Sequence, residues 1–202
     1  RWKVKMFKTV VIDPPWKKST GGVGNKTLQA STHYDVQTRE SVIDTLEEWF
    51  RQYPVAPEAH LYLWTVNTFT GGRDQGILPA FHVCEKLGFK PVTLIPWVKN
   101  NVGSPTPYGM RYTEMCIFAV RYNKGAGART RYKGTAEIQS VPNGSGLTSS
   151  KDYIMAPRRE HSRKPEEFYK YVEQRSKGPY LDLYSRTIRP GWTGVGNQSG
   201  KW

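Results

Sequence analysis

The stretch FKTVVIDPPWKKS (residues 7–19) is an apolar, β-branched run stopped abruptly by an acid, two prolines and a tryptophan. Residues 7–12 read as a buried strand, because β-branched and aromatic side chains without helical spacing suit a pleated surface. Pro14 and Pro15 fix φ and remove two backbone donors, so no helix starts there. Asp13 therefore stands at the mouth of the strand, where open α/β sheets gather their ligands.

Working outward, the same grammar repeats. Thr38 suits the N-cap of a helix carrying Val42, Leu46, Trp49, Phe50 and Tyr53 on one face. HLYLWTV (60–66) is a second strand. A second helix presents Ile77, Leu78, Phe81, Cys84 and Leu87 and stops at Gly88. PVTLIPWV (91–98) and EMCIFAV (114–120) are strands, Pro165 opens a helix with Phe168, Tyr171 and Val172 inward, and YLDLYS (180–185) is a last strand. Apolar strands alternating with amphipathic helices predict an α/β fold with a mostly parallel sheet and helices on both faces. No internal repeat or compositional break divides the chain, so residues 1–202 are expected to form a single domain. Three loops are long enough to carry function: 17–34, 99–112 and the basic stretch 121–163, in which at least part of 123–151 is expected to be mobile.

Thirty Lys and Arg against seventeen Asp and Glu give a net charge of +13, which makes polyanions the first partners to consider. Cys84 and Cys116 lie in apolar runs without metal-ligand spacing and read as buried thiols of a reducing compartment. No run reaches the ~18 apolar residues of a membrane span.

The chemistry of the opening motif is specific. Asp13 and the carbonyl of Pro14 offer two acceptors to one planar amino group, and Trp16 offers a face for a stacked base. An aromatic amine such as the 6-amino group of adenine is a weak nucleophile, because its lone pair is delocalised into the ring. Accepting from both of its N–H bonds turns that lone pair toward an incoming methyl carbon, with no strong base required.

The blocks DPPW (13–16), LYLWTV (61–66), KLGFKPVTLIPWVK (86–99), RYTEMCIFAV (111–120), RKPEEFY (163–169), LDLYSR (181–186) and RPGWTGVGNQ (189–198) resemble, in order and spacing, the MT-A70 type family of S-adenosylmethionine-dependent N(6)-adenine methyltransferases. The resemblance implies a Rossmann-like methyltransferase fold in circularly permuted order, the catalytic strand first and the cofactor strand last. It implies that Asp13, Pro14, Pro15 and Trp16 are catalytic. It assigns S-adenosylmethionine to Asp13, Lys164, Asp182, Arg186, Asn197 and Gln198: Lys164 at the cofactor carboxylate, Asp182 near the ribose, Arg186 near the methionine end, and the Asn-Gln pair as further hydrogen-bonding groups. No metal is implied. Asp182 and Ser185 depart from the Glu and Gly or Ala of many members, which leaves the ribose geometry open. Taken alone, Lys164 suits a solvated helix start, and Asp182 with Arg186 suits a surface ion pair. Glu114 reads as structural, anchoring the loop before its strand or bonding a neighbouring backbone amide.

A base in a duplex must be extruded or met in a single strand. Lys17, Lys18, Lys99, Arg111, Arg158 and Arg159 are the expected nucleic-acid contacts, with Tyr108 as a stacking partner; Arg129, Arg131, Lys133 and Arg163 add further positive charge. DNA is the favoured substrate and RNA the alternative, with a catalytically silent nucleic-acid-binding subunit as a rival. A homodimer or a related methyltransferase-like subunit is the expected protein partner. Expected locations are cytoplasmic for a bacterial or phage-encoded enzyme and nuclear for a eukaryotic one.

Overall fold

The β-branched run at residues 7–12 does form a strand, buried within the sheet between two parallel neighbours. A computed structural model describes residues 6–17, 36–69, 74–106, 109–121, 152–159 and 163–196. The readings placed on Lys18, Tyr108, Arg129, Arg131, Lys133, Asn197, Gln198 and the stretch 123–151 lie outside the described residues. Along the chain the elements are β1 (Phe7–Ile12), α1 (Arg39–Gln52), β2 (Val55–Val66), α2 (Ile77–Lys86), β3 (Lys90–Lys99), β4 (Ser104–Thr106), β5 (Gly109–Arg111), β6 (Thr113–Arg121), β7 (Ile154–Ala156), α3 (Glu166–Arg175), β8 (Tyr180–Leu183) and β9 (Trp192–Val195).

Among the described residues seven strands make one sheet in the order β7-β3-β6-β2-β1-β8-β9, and β4 with β5 makes a separate hairpin. β1 pairs in parallel with β2 on one side and β8 on the other. β8–β9 and β3–β7 are also parallel, whereas β6 runs antiparallel to both β2 and β3. That reversal has a local cause: β3 returns to β6 through the β4–β5 hairpin with no crossover helix, and a short return can only be antiparallel. The sheet is mostly parallel, as the pattern predicts, and the architecture is that of a Rossmann-like α/β methyltransferase fold. The loop expected over 99–112 contains the hairpin, and the stretch expected as loop over 121–163 contains β7. β4, β5 and β7 have three residues each, too few to show a period in the sequence.

Helices cover both faces. Val42 and Leu46 of α1 and Ala80, Val83, Cys84 and Leu87 on and just after α2 pack on Val10, Ile12, Leu61 and Leu63. Phe168 and Val172 of α3 pack on the other face against Val11, Tyr62, Trp64 and Phe118. Thr38 caps α1 by accepting from the Ser41 amide at 3.2 Å. Gly88 ends α2 at φ 76°, the left-handed conformation that favours glycine. The expected face of α2 is corrected: Leu78 is 54% and Phe81 40% exposed. Its buried set follows the spacing 80, 83, 84, 87, while the expected set followed side-chain size. Inside the second layer, Ser176 joins the His60 Nδ1 at 2.6 Å and the Tyr62 hydroxyl at 2.8 Å, which satisfies three buried polar groups together.

Candidate active site

β1 and β8 are neighbours in register, Val11 opposite Asp182 and Ile12 opposite Leu183. From β1 the chain proceeds to β2 on one flank, and from β8 to β9 on the other, so the crevice between their carboxyl ends is the switch point of the sheet. Asp13 opens this crevice, its amide reaching the Leu183 carbonyl at 3.4 Å.

The two prolines turn the chain as expected, but their carbonyls are not bare. The Trp16 amide donates to the Pro14 carbonyl at 2.9 Å, and the Gln37 amide donates to Pro15 at 2.8 Å. Pro14 keeps one lone pair for another donor. Trp16 differs more from its expected role. Its ring is 8% exposed and packs in the core, and its indole N–H donates to the Trp64 carbonyl at 2.9 Å. Trp16 therefore anchors the turn to β2 and offers no open face for stacking.

A chain of four alternating charges runs inward from Asp13. Lys164 Nζ lies 3.0 Å from Asp13 Oδ1 and 3.1 Å from Glu114 Oε2, and Glu114 Oε1 lies 2.6 Å from Lys99 Nζ. Both ammonium groups rest over tryptophan rings, Lys164 at 5.0 Å from Trp64 and Lys99 at 5.1 Å from Trp97. Burial would lower the Lys164 pKa, but the carboxylates of Asp13 and Glu114 outweigh it and hold the value above the ordinary one. Burial would likewise raise Glu114, yet the ammonium groups of Lys164 and Lys99 hold it at about 2. For Asp13 burial wins over Lys164 and Arg186, and its pKa is raised.

On the β8 side, Asp182 is 4% exposed and accepts from the Tyr169 hydroxyl at 3.1 Å. Burial pushes its pKa to about 7. The next residue but one, Tyr184, adopts φ 60° without being glycine, a strained turn. Its hydroxyl, donating to Gln37 at 2.5 Å, and its edge-on contact with Trp49 at 4.8 Å hold it there. A Cβ on Gly196 would sit 2.7 Å from the Ser185 carbonyl, so only glycine lets the segment after β9 press against this turn. The resulting cleft is lined by Asp13, Lys164, Tyr169, Asp182, Tyr184 and Arg186 among others.

Four of the six residues assigned to the cofactor by sequence thus line one cleft; Asn197 and Gln198 lie outside the described residues. The expected nucleic-acid contacts divide. Lys17 and Arg158 are exposed and Arg111 is half-buried. Lys99 is corrected: it is 5% exposed and locked to Glu114, so it cannot meet a phosphate. Arg159 is paired with Glu166 at 3.3 Å. Tyr169 and Tyr184 line the cleft and Glu114 pairs with its Lys164, and sequence reasoning placed none of the three there. For Glu114 a signal existed, an acid at the start of an otherwise apolar strand beside a strand that ends in lysine. Among the described residues no group of three or more His, Cys, Asp or Glu side chains is placed to hold a metal ion. No described helix is long and apolar enough to cross a membrane.

The MT-A70 family model matches residues 7–198. The chain is 26% identical over 209 residues to the human (Homo sapiens) N(6)-adenine-specific methyltransferase METTL4, covering 96% of this chain and 38% of that protein's length.

Proposed function

The chain belongs to the MT-A70 family, and from that premise we propose that it transfers a methyl group from S-adenosylmethionine to the 6-amino group of adenine in nucleic acid, DNA before RNA. The observation that carries the reading is the meeting of Asp13, Lys164, Asp182 and Arg186 in one cleft at the switch point. The donor set fits the cofactor chemically. Lys164 and Arg186 supply cations for an α-carboxylate, and Asp182 supplies an acceptor for ribose hydroxyls. From the resemblance, Asn197 and Gln198 complete the set.

When bound, the cofactor supplies an electrophilic methyl group on a sulfonium centre. The chain's residues do the rest. Asp13 and the second lone pair of Pro14 accept the two N–H bonds of the target amine and aim its lone pair. Pro15 and Trp16 keep this turn rigid through Gln37 and Trp64. Asp13 also carries the negative charge that offsets the cation forming on the amine nitrogen.

The deciding experiment is incubation with labelled S-adenosylmethionine and matched DNA and RNA oligonucleotides, followed by nucleoside analysis. Label in N(6)-methyladenine supports the reading and names the polymer. Cofactor binding without any label transfer would favour a silent subunit.

We also propose Lys17, Arg111 and Arg158 as phosphate contacts; Lys18 as a further contact and Tyr108 as a stacking partner rest on the sequence alone, and Arg159 would have to leave Glu166 to join them. Each phosphate contact contributes a slope of roughly −0.7 to −0.9 in log K against log salt. Lys17→Ala with Arg158→Ala is expected to flatten that slope by roughly 1.5 units in a binding titration. An unchanged slope removes both from the binding surface.

A further inference from the structure

We propose that Glu114 is a positioning residue for methyl transfer: as the second anion of Lys164, it keeps that ammonium from closing over Asp13 and leaves one Asp13 oxygen open to the target amine. The proposal rests on the reading of the cleft as a methyltransferase site.

The distances carry it. An ammonium has three N–H donors. Lys164 divides two of them almost evenly, 3.0 Å to Asp13 and 3.1 Å to Glu114. The contact with Asp13 is made through its Oδ1 oxygen. Glu114 cannot turn away, because its other oxygen is held by Lys99 at 2.6 Å. Its backbone is equally fixed, in register with Val66 of β2 on one side and Trp97 of β3 on the other. Lys164 and Lys99 stand over Trp64 and Trp97, whose rings meet edge to face at 6.2 Å. The carboxylate between them therefore has a rigid floor.

With Glu114 absent, Lys164, whose side chain is 8% exposed, would keep a single buried anion. A lone pair of opposite charges in a poorly solvated site draws together, and the ammonium would bridge both Asp13 oxygens. Arg186 also bears electrostatically on Asp13, and Asp13 itself acts on Asp182. These remain in place in the variants below.

Glu114→Gln alone strands Lys99, so the test uses the double variant Lys99→Met, Glu114→Gln, which removes one neutral pair. Three readouts are taken: kcat with the best oligonucleotide, the dissociation constant for S-adenosylmethionine, and the titration of the Asp13 carboxyl carbon by ¹³C NMR in the ligand-free protein. In the double variant kcat is expected to fall about 10- to 100-fold, the scale of a small misplacement of a reacting group. Cofactor affinity is expected to change less than about threefold, since Lys164 itself is kept. Asp13 is expected to titrate at lower pH, because it loses a neighbouring negative charge and gains the whole of Lys164. A folded double variant with unchanged kcat and an unmoved Asp13 titration overturns the role of Glu114 alone. A wild-type protein that methylates no adenine overturns the transfer reading and this role together.

Discussion

Replacing Asp13 by asparagine is expected to lower kcat by about 10²- to 10³-fold, the cost of losing one preorganised electrostatic contact at a reacting centre, while the protein stays folded. The argument turns on Lys164. Its ammonium, 3.0 Å from Oδ1, demands an acceptor and so fixes which way an asparagine amide must point. The carbonyl oxygen faces Lys164, and the amide NH₂ takes the place of Oδ2. A donor then meets the N–H bonds of the target amine where an acceptor is needed. Folding survives because Lys164 keeps Glu114 at 3.1 Å. The measurement is single-turnover transfer at saturating cofactor, with thermal unfolding as the control. A folded Asp13→Asn protein that transfers at more than a tenth of the wild-type rate removes Asp13 from the centre of the mechanism.

Why the sequence exposes so much of this site and hides part of it follows from where each residue sits. Asp13 follows one buried strand and Asp182 lies within its neighbour, and a carboxylate set in or after an apolar run is conspicuous because burial without purpose is costly. β1 was legible as a six-residue β-branched run, and the face of α1 because its apolar residues recur at spacings of three and four along 14 residues. Glu114 stood out as an acid at the start of its strand, but its partners were hidden by the antiparallel return of β6. Its meaning depends on Lys99 and Lys164, 15 and 50 residues away in the chain. Lys99 misled in the opposite direction. A lysine followed by a polar loop looks like a phosphate contact, and only the strand pairing shows its stem buried beside Trp97. Trp16 erred by the same logic, because a tryptophan in a ligand-side turn can face either the base or the core, and the hydrogen bond to Trp64 decides for the core.

Lys164→Met is expected to cost more stability than any other single change at the site, and to do so in a pH-dependent way. The substitution keeps the apolar stem over Trp64 and deletes the cation between Asp13 and Glu114. Removing one partner of a buried pair costs about 3–5 kcal/mol, and the low end of about 3 applies here because the carboxylate side chains keep 24% and 26% of their exposure. For a domain of this size that is a fall in Tm of roughly 6–12 °C at neutral pH. The sign against pH follows from linkage. Burial already raises the Asp13 pKa above its unfolded value in the wild type, and loss of Lys164 raises it further. The folded variant then binds more protons than the unfolded chain across that window, so its stability drops as pH rises through it and recovers on acidification. Glu114 behaves oppositely in the wild type. Held at about 2, it contributes stability present above its unfolded value and lost as pH falls toward 2. The wild type minus variant difference in Tm should therefore shrink steadily from pH 7 toward pH 4.5. In isothermal titration the variant is also expected to bind S-adenosylmethionine about 10- to 100-fold more weakly, the scale of one charged hydrogen bond, while decarboxylated S-adenosylmethionine binds both proteins alike. A Tm difference that stays constant with pH would mean that Lys164 acts through packing alone, and equal losses for both ligands would separate it from the cofactor carboxylate.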